Sequence, residues 1–467
     1  MLSQIIFNHK KHQTAVVLPN GNKFSYSDIQ TYSNKINQKI NGRCLVFCLS
    51  KNHIGSLCGY LSFISNRVVP LLLDSSITWE LLKQLITIYK PRYLWLPTDQ
   101  SSEIQGGEDV MSLLDYTLIK MPLNGKCLLH DNLALLLPTS GSTGSPKLVK
   151  LTNKNIYSNA TSISEYLSID KNERPITSLP MHYSFGLSII NSHLINGATI
   201  LLTNNSLMEK EFWAFLKSYE ATSLSGIPYS FEILKKLRFF KMDFPYLKTL
   251  TQAGGKLNDD LNREFSEYCL KSNKRFFVMY GQTEATARMS YLPPEYSIKK
   301  LGSMGIAIPG GDFFLIDENG NTIEKPDREG ELVYKGRNVS MGYAKCRNDL
   351  ANGDENNGVL VTGDLAKRDK DGFYYIVGRK KRFIKLFGNR VNLDETERLI
   401  KNIITDCACA GTDDKMIIFI TQKDLIQDVK RFISTKTGIN PKAFKVTAID
   451  KIPKNSSGKT VYSQLFD

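Results

Sequence analysis

Short unbroken apolar runs alternate with helix-length stretches through the first two-fifths of the chain. Cys44–Leu49, Val68–Leu73, Tyr93–Leu96 and Leu133–Leu137 have the length of strands buried on both faces. Between them, Ile54–Ile64 reads as an amphipathic helix, and Ile77–Tyr89 carries apolar residues at helical spacing. The pattern continues with a helix over Thr152–Leu167, a strand over Ile176–Leu179, a helix over Leu187–Ile195 and a strand over Thr199–Leu202. Strands separated by helix-length segments predict parallel βαβ units, and hence an α/β fold. From about Ser303 the texture changes. Gly311–Asn321, Gly330–Gly336 and Asp371–Gly378 are short β-rich segments punctuated by Gly, Asp and Asn, predicting a small antiparallel barrel or sheet over about 303–378. A basic segment, Arg379 to Arg382, and an acidic helix start, Asp394 to Glu397, then open a region of alternating β and α signals. These features place a domain boundary near 379–383, with 1–380 as a core and 381–467 as a small α+β domain on a tight hinge.

Composition narrows the class without naming it. The chain has 467 residues, 42% of them apolar and 23% charged, which is typical of a soluble globular protein and long enough for about three structural units. No run approaches the roughly 20 apolar residues that span a bilayer, and the N-terminal apolar stretch is too short for a secretory signal. Eight scattered cysteines with no C-x-x-C pair fit reduced thiols in the cytoplasm, and not a disulfide framework or a zinc site. The formal net charge of +14 admits nucleic acid, anionic ligands or an acidic protein as partner. Basic residues are spread along the chain in short clusters only, and a Lys- and Asn-rich composition accounts for much of the excess.

The most chemically specific segment runs from Leu135 to Lys147, where an apolar strand delivers Thr139, Ser140, Gly141, Ser142, Thr143 and Gly144, then Ser145, Pro146 and Lys147. Glycines let backbone N–H groups turn toward an anion, hydroxyls donate to phosphate oxygens, and the lysine adds positive charge. A Walker A loop is excluded, since Gly141 and Gly144 are three apart and Lys147 follows a proline. A bare Ser/Thr/Gly surface loop would not need the preceding strand or the terminal lysine.

These residues resemble the adenylate-forming (AMP-binding) superfamily of acyl- and aryl-CoA synthetases, adenylation domains of nonribosomal peptide synthetases, D-alanine–carrier protein ligases and luciferases. The resemblance extends over almost the whole chain: Phe24 to Ile29 near the start, Tyr280-Gly281-Gln282-Thr283-Glu284, Thr362-Gly363-Asp364, Gly378-Arg379-Lys380-Lys381, and Pro453 to Lys459. It implies a large N-terminal domain of parallel-rich βαβ subdomains with a small β-barrel-like subdomain, followed by a mobile C-terminal lid hinged at Lys381. The implied activity is an ATP-dependent carboxylic acid–thiol ligase, forming acyl-AMP and then a thioester on CoA or on the phosphopantetheine of a free-standing, acidic carrier protein.

The resemblance also implies roles for single residues. Lys459 bridges the substrate carboxylate and the phosphate, Thr283 donates to the α-phosphate, and Glu284 holds Mg²⁺. Asp364 accepts the ribose hydroxyls with Arg379 in support. Tyr280 faces adenine beside the Ala253-Gly254-Gly255 wall, with Gly281 next in the same motif. His182, Phe185, Gly186, Ile190 and Ala253 line the acid pocket, its depth set by Gly186, Ile190 and the Tyr280 region, and His182 gates the CoA tunnel or touches the carboxylate. Gly186 stands where amino-acid-activating relatives carry an Asp, and a buried α-ammonium without a carboxylate is costly, so α-amino acids are disfavoured. No phosphopantetheine attachment segment is present, so the acceptor is expected from outside the chain. An amino-acid–carrier protein ligase is the rival within the family. A basic nucleotide- or nucleic-acid-binding protein without catalysis is the rival from another class, opposed by Lys459 and Glu284 and by the scarcity of aromatic clusters beside basic runs.

Overall fold

The computed structural model describes residues 2–9, 12–122, 128–139, 147–386, 389–401, 403–454 and 458–466. It divides into two compact units, Met1–Asp312 with Tyr334–Leu360, and Phe313–Val333 with Val361–Asp467.

The first unit is built on two mixed sheets. One runs, edge to edge, through Tyr343–Ala344, Leu148–Thr152, Leu133–Pro138, Val69–Asp74, Leu45–Ser50, Tyr93–Pro97, Tyr116–Lys120 and Glu108–Leu113. Its centre is parallel, Leu45–Ser50 lying between Val69–Asp74 and Tyr93–Pro97, while Leu148–Thr152 and Tyr116–Lys120 pair antiparallel with their neighbours. The second sheet has nine strands, with Ser223–Gly226, Thr249–Gln252 and Arg275–Tyr280 parallel in its middle and antiparallel strands at its ends. The expected strands are therefore present, and the parallel α/β reading holds.

Side-chain alternation explains why the first sheet is buried on both faces. Val46 and Cys48 pack into one core with Leu57, Leu61, Leu187 and Ile190, whereas Leu45, Phe47 and Leu49 pack into another with Leu82, Leu85 and Tyr89. The helix Ile54–Ser65 departs from its expected amphipathic character. Every residue from Ile54 to Ile64 is buried, because the helix lies inside the first of these cores and has no solvent face. Its glycines make room for rings: a Cβ on Gly59 would strike the indole of Trp95, which is fully buried and donates through Nε1 to Gly55 O at 3.0 Å.

Helix starts carry the local signals that sequence supplies. Ser25 and Asp28 form a reciprocal capping box at Tyr26–Asn37, and Thr152 and Asn155 form another at Asn153–Leu167. Asn155 does more than cap, since its amide also donates to Arg337 O and Val339 O at 2.8 and 2.7 Å. Lys150, fully buried on the strand Leu148–Thr152, donates to the carbonyls of Asp349, Asn352 and Gly353 and pairs with Glu355 at 3.1 Å. One lysine thereby fastens the loop that follows the edge strand Tyr343–Ala344.

In the second unit, the β-rich segment expected as barrel-like is an open four-stranded sheet in the order Gly311–Ile316, Glu329–Gly336, Val359–Arg368, Tyr374–Arg379. Four strands are too few to curl closed around side chains, so the sheet keeps two edges. The C-terminal part contains a three-stranded sheet, Cys407–Thr412, Lys415–Ile420 and Phe444–Ala448, packed with the helices Leu393–Ile400 and Ile426–Thr437 around Ile400, Ile418, Val429 and Ile433.

Gly59→Ala is expected to destabilise the first unit by about 1–3 kcal/mol, the cost of overpacking against an indole that cannot move, as read from the denaturation midpoint. An unchanged midpoint would mean that Trp95 is free to shift.

Candidate active site

The segment Tyr280–Ser290 leaves the strand Arg275–Tyr280, makes a 3-10 turn at Thr283–Ala285 and returns antiparallel as Ser290–Leu292. The return requires unusual backbone, for Thr286 has φ +59° and Ala287 φ +101°. The left-handed region costs a non-glycine residue of order 1–3 kcal/mol, so the surrounding structure must hold it. Asn338, buried, does so: its amide donates to Ala285 O at 2.8 Å and Arg288 O at 3.1 Å, and its carbonyl accepts from Tyr334 OH at 2.8 Å. Thr286 Oγ1 donates to Asn338 O at 2.6 Å, and Asn159 adds a second amide on Arg288 O at 2.7 Å. Gly281 is required here, since a Cβ would collide with the Ala287 carbonyl.

This turn presents two expected site residues. Thr283 Oγ1 lies 3.1 Å from Ser184 Oγ at the start of the helix Ser184–Leu194. The Glu284 carboxylate accepts from Tyr343 OH at 2.6 Å, and Lys147 Nζ sits over the same ring, 3.9 Å from its centroid. Burial, and then the Glu284 carboxylate, push the Tyr343 hydroxyl well above its ordinary pKa, so it stays a proton donor. A single tyrosine thus gathers the candidate metal carboxylate and the candidate phosphate cation. Glu284 supplies one carboxylate, and among the described residues no cluster of three or more His, Cys, Asp or Glu could hold a metal. That donor set fits Mg²⁺ carried by a nucleotide, which takes one or two protein carboxylates with phosphate oxygens and water. Thr139 follows the strand Leu133–Pro138, which hydrogen-bonds to Leu148–Thr152, while Ser140, Gly141, Ser142, Thr143 and Gly144 lie outside the described residues.

His182 stands on the loop before the helix, with Nδ1 3.3 Å from Ser50 O and Nε2 3.5 Å from Asp74 Oδ2. Burial lowers its pKa, against the raising influence of Asp74. Asn52 fixes this loop, accepting from Met181 N and donating to Leu179 O, both at 3.0 Å. Tyr183 and Phe185 meet edge to face at 6.3 Å, and the Tyr183 hydroxyl, pushed up to about 12 by burial, occupies the space a Cβ on Gly254 would need. Phe185 and Ala253 belong to one buried cluster with Ile189, Ile227, Phe277 and Met279.

Two expected pocket residues lie elsewhere. Ile190 packs in the core between the sheets with Leu187 and Leu194, since the helix begins at Ser184 and puts Ile189, one turn beyond Phe185, on the Phe185 face. Gly186 faces the loop before the helix. Its Cβ direction runs into the Pro180 carbonyl, with Leu179 O at 3.0 Å, so it is glycine for helix–loop packing. A third residue escaped the reading. Arg288, four positions after Glu284, is 2% exposed, and its guanidinium lies 5.0 Å from the Phe185 ring centroid. A lone arginine beyond a recognised motif carries no sequence signal of burial.

In the second unit Asp364 is buried and pairs with Arg379 Nε at 3.2 Å, the two residues facing each other across adjacent strands. Tyr280 accepts from Gln282 Nε2 at 3.2 Å in the first unit. Lys381 is exposed within the 3-10 turn Lys380–Arg382. Lys459 is half-buried between Gly458, at φ +71°, and Thr460, which bridges to Lys454.

Comparisons with known proteins identify the family and the fold. Residues 82–344 match the family described as AMP-binding enzyme. The chain is 30% identical over 351 residues to a 2-succinylbenzoate–CoA ligase of Bacillus licheniformis, covering 72% of this chain and 70% of the relative. It is 29% identical over 359 residues to a luciferin 4-monooxygenase of Photuris pensylvanica, covering 72% and 64%. An o-succinylbenzoate coenzyme A synthetase of Bacillus subtilis in complex with AMP superposes with a TM-score of 0.81 at 20% identity over 100% of this chain and 98% of that one.

Two expected outcomes test this geometry. Asn338→Ala removes the donor to two turn carbonyls and is expected to cost about 1–3 kcal/mol in denaturant, with a matching fall in activity. His193, buried on the same helix and bonded through Nδ1 to Ile189 O at 2.8 Å, has its pKa brought down by burial to about 3. The unfolded chain protonates this residue near pH 6.5 and the folded chain does not, so stability falls as pH drops from about 6.5 toward 3, by up to about 1.4 kcal/mol per unit. His193→Gln is expected to flatten that decline, and an unaltered slope would assign it to other groups.

The strand leading to Thr139 and the Thr283-Glu284 turn both fall within the matched region, and the chain belongs to the AMP-binding enzyme family.

Proposed function

We propose that the protein is an ATP-dependent carboxylic acid–thiol ligase with CoA as acceptor. The reading rests on one observation above the others: Glu284 and Lys147 share Tyr343, so a carboxylate suited to Mg²⁺ and a cation suited to phosphate are held at one place, beside the Thr283 hydroxyl. Relatives named as CoA ligases support the thiol acceptor. In the first half-reaction a carboxylate oxygen attacks the α-phosphorus of ATP, the bond to the β-phosphate oxygen breaks, and pyrophosphate leaves. In the second, a thiolate attacks the acyl carbon and AMP leaves with the bonding pair.

Each residue contributes positioning and charge, the main sources of catalysis in phosphoryl chemistry. Thr283 donates to the α-phosphate and Lys147 draws the triphosphate in. Mg²⁺, held by Glu284, neutralises phosphate charge when bound. Asp364, with Arg379 beside it, takes the ribose hydroxyls. Tyr280 and Gly254 border the adenine, and the residues from 381 onward act as a lid carrying Lys459 to the reacting carboxylate. His182, neutral at pH 7 through burial, accepts a hydrogen bond or moves aside without leaving a charge behind. The same groups count against a non-catalytic nucleic-acid binder.

An amino-acid substrate is disfavoured on a second ground, since the Phe185 cluster has a buried arginine beside it, and an α-ammonium there would meet like charge. Among the described residues no helix is long and apolar enough to cross a membrane. Among the described residues seven cysteines are free, six of them buried, which suits a reducing cytoplasm.

Acid-dependent pyrophosphate exchange requiring Mg²⁺ tests the first half-reaction. Lys459→Ala is expected to lower it by about 100-fold or more, the scale on which loss of one preorganised donor acts, while thioester formation from supplied acyl-AMP survives. Equal loss of both would overturn the lid assignment. CoA and a phosphopantetheinylated carrier protein, offered side by side, decide the acceptor.

A further inference from the structure

Arg288 is the fully buried cation that the proposed chemistry leaves unused. Its backbone is fixed twice, Asn159 and Asn338 both donating to its carbonyl, so the side chain cannot swing away with the loop. Nε donates to Ser188 Oγ at 3.1 Å, Nη1 to Tyr166 OH at 3.2 Å, with Met279 Sδ at 3.6 Å and the Phe185 ring beneath. All of these partners are neutral, and no hydrogen bond among the described residues uses Nη2. Two other cations removed from solvent have carboxylates: buried Lys150 has Glu355, and half-buried Arg382 has Asp394 and Glu397. Among the described residues Arg288 has none. An uncompensated buried guanidinium is costly, several kcal/mol even after relaxation, and a protein keeps one where a ligand supplies the counter-charge.

The position indicates which part of a ligand that is. Ser184 meets Thr283, where the reacting carboxylate is activated in the ligase reading, and Ser188, one helical turn further along the same face, meets Arg288. One turn advances about 6 Å along the axis, and the Phe185, Ala253 and Met279 cluster lies on this side of the helix. We propose that Arg288 receives a second, distal carboxylate of the acid substrate, so that the enzyme activates dicarboxylic acids whose two carboxyl carbons stand roughly 5–7 Å apart, one turn of this helix. Arg288 is then a substrate-binding residue that sets specificity, its planar fork matched to a carboxylate. The inference rests on the ligase reading, since it takes the Thr283 end of the helix as the site of acid activation.

The test compares acids in pairs by pyrophosphate exchange with the full-length wild-type enzyme: dicarboxylic acids with three- or four-carbon aliphatic spacers or an aromatic spacer, each against its mono-amide, in which the distal carboxylate alone is neutralised. At least one diacid is expected to exceed its mono-amide by about 100-fold in kcat/KM, mostly through KM. Arg288→Met, close in volume and apolar, is expected to bring the ratio of diacid to mono-amide down to about one. Arg288→Lys is expected to restore part of it. Mono-amides equal to their diacids in the wild-type enzyme would overturn the assignment while leaving the ligase reading in place, and so would a ratio that persists in Arg288→Met. Exchange with no acid at all would overturn both. The wild-type comparison stands even if Arg288→Met does not fold.

Discussion

The placement of Thr283, Glu284 and Arg288 hangs on one costly stretch of backbone, the turn that they share. Thr286 and Ala287 adopt left-handed conformations there, without a glycine to make them cheap. Asn338 and Asn159 replace the missing local hydrogen bonds with side-chain amides, which only a buried, geometrically fixed residue can do. The reward is spacing: Thr283, Glu284 and Arg288 leave the turn toward three different partners, the Ser184 hydroxyl, the Tyr343 hydroxyl and the Phe185 ring. A regular strand would have sent alternate side chains to opposite faces of the sheet.

The elements supporting this turn are themselves locked by polar residues in apolar surroundings. Asn155 begins as an ordinary helix-capping partner and ends by holding residues 337 and 339. Lys150 fastens the loop behind Tyr343, and Tyr343 in turn holds Glu284. Asn155, Lys150 and Tyr343 are each satisfied by a carbonyl or a carboxylate, so breaking any one strands its partner. The second unit uses the same device. Arg382 pairs with Asp394 and Glu397 and lies over the ring of Tyr462, whose hydroxyl donates to Glu397, so the residue after Lys381 is tied to the segment that follows Lys459. The turn Lys380–Arg382 and the segment around Tyr462 are therefore mechanically continuous within that unit.

Much of this was legible from residue order. Leu45–Ser50, Val69–Asp74, Tyr93–Pro97 and Leu133–Pro138 are strands where apolar runs said so, because a strand buried on both faces has no polar positions to hide. Thr283 and Glu284 fell at a candidate site because the motif around them matches a known pattern. The misreadings have a common cause. Ile54–Ser65 was read as amphipathic and is buried all round, since serine and glycine are small enough to pass for a polar face and to pack like a core. The directions of Gly186 and Ile190 could not be read from sequence, because they depend on where the helix starts, and it starts at Ser184.

The sequence by itself determined the class of fold, the family and the chemical types at the nucleotide end of the site, because these depend on local pattern and on short motifs whose atoms act within a few residues of one another. Only the tertiary structure decided which side chains converge. Tyr343 reaches Glu284 across 59 positions and Asn338 reaches Ala285 across 53, and no periodicity reports contacts of that range. It also decided that Arg288 is buried beside neutral groups. Charge is a property of the residue, but the cost of that charge is a property of everything packed around it.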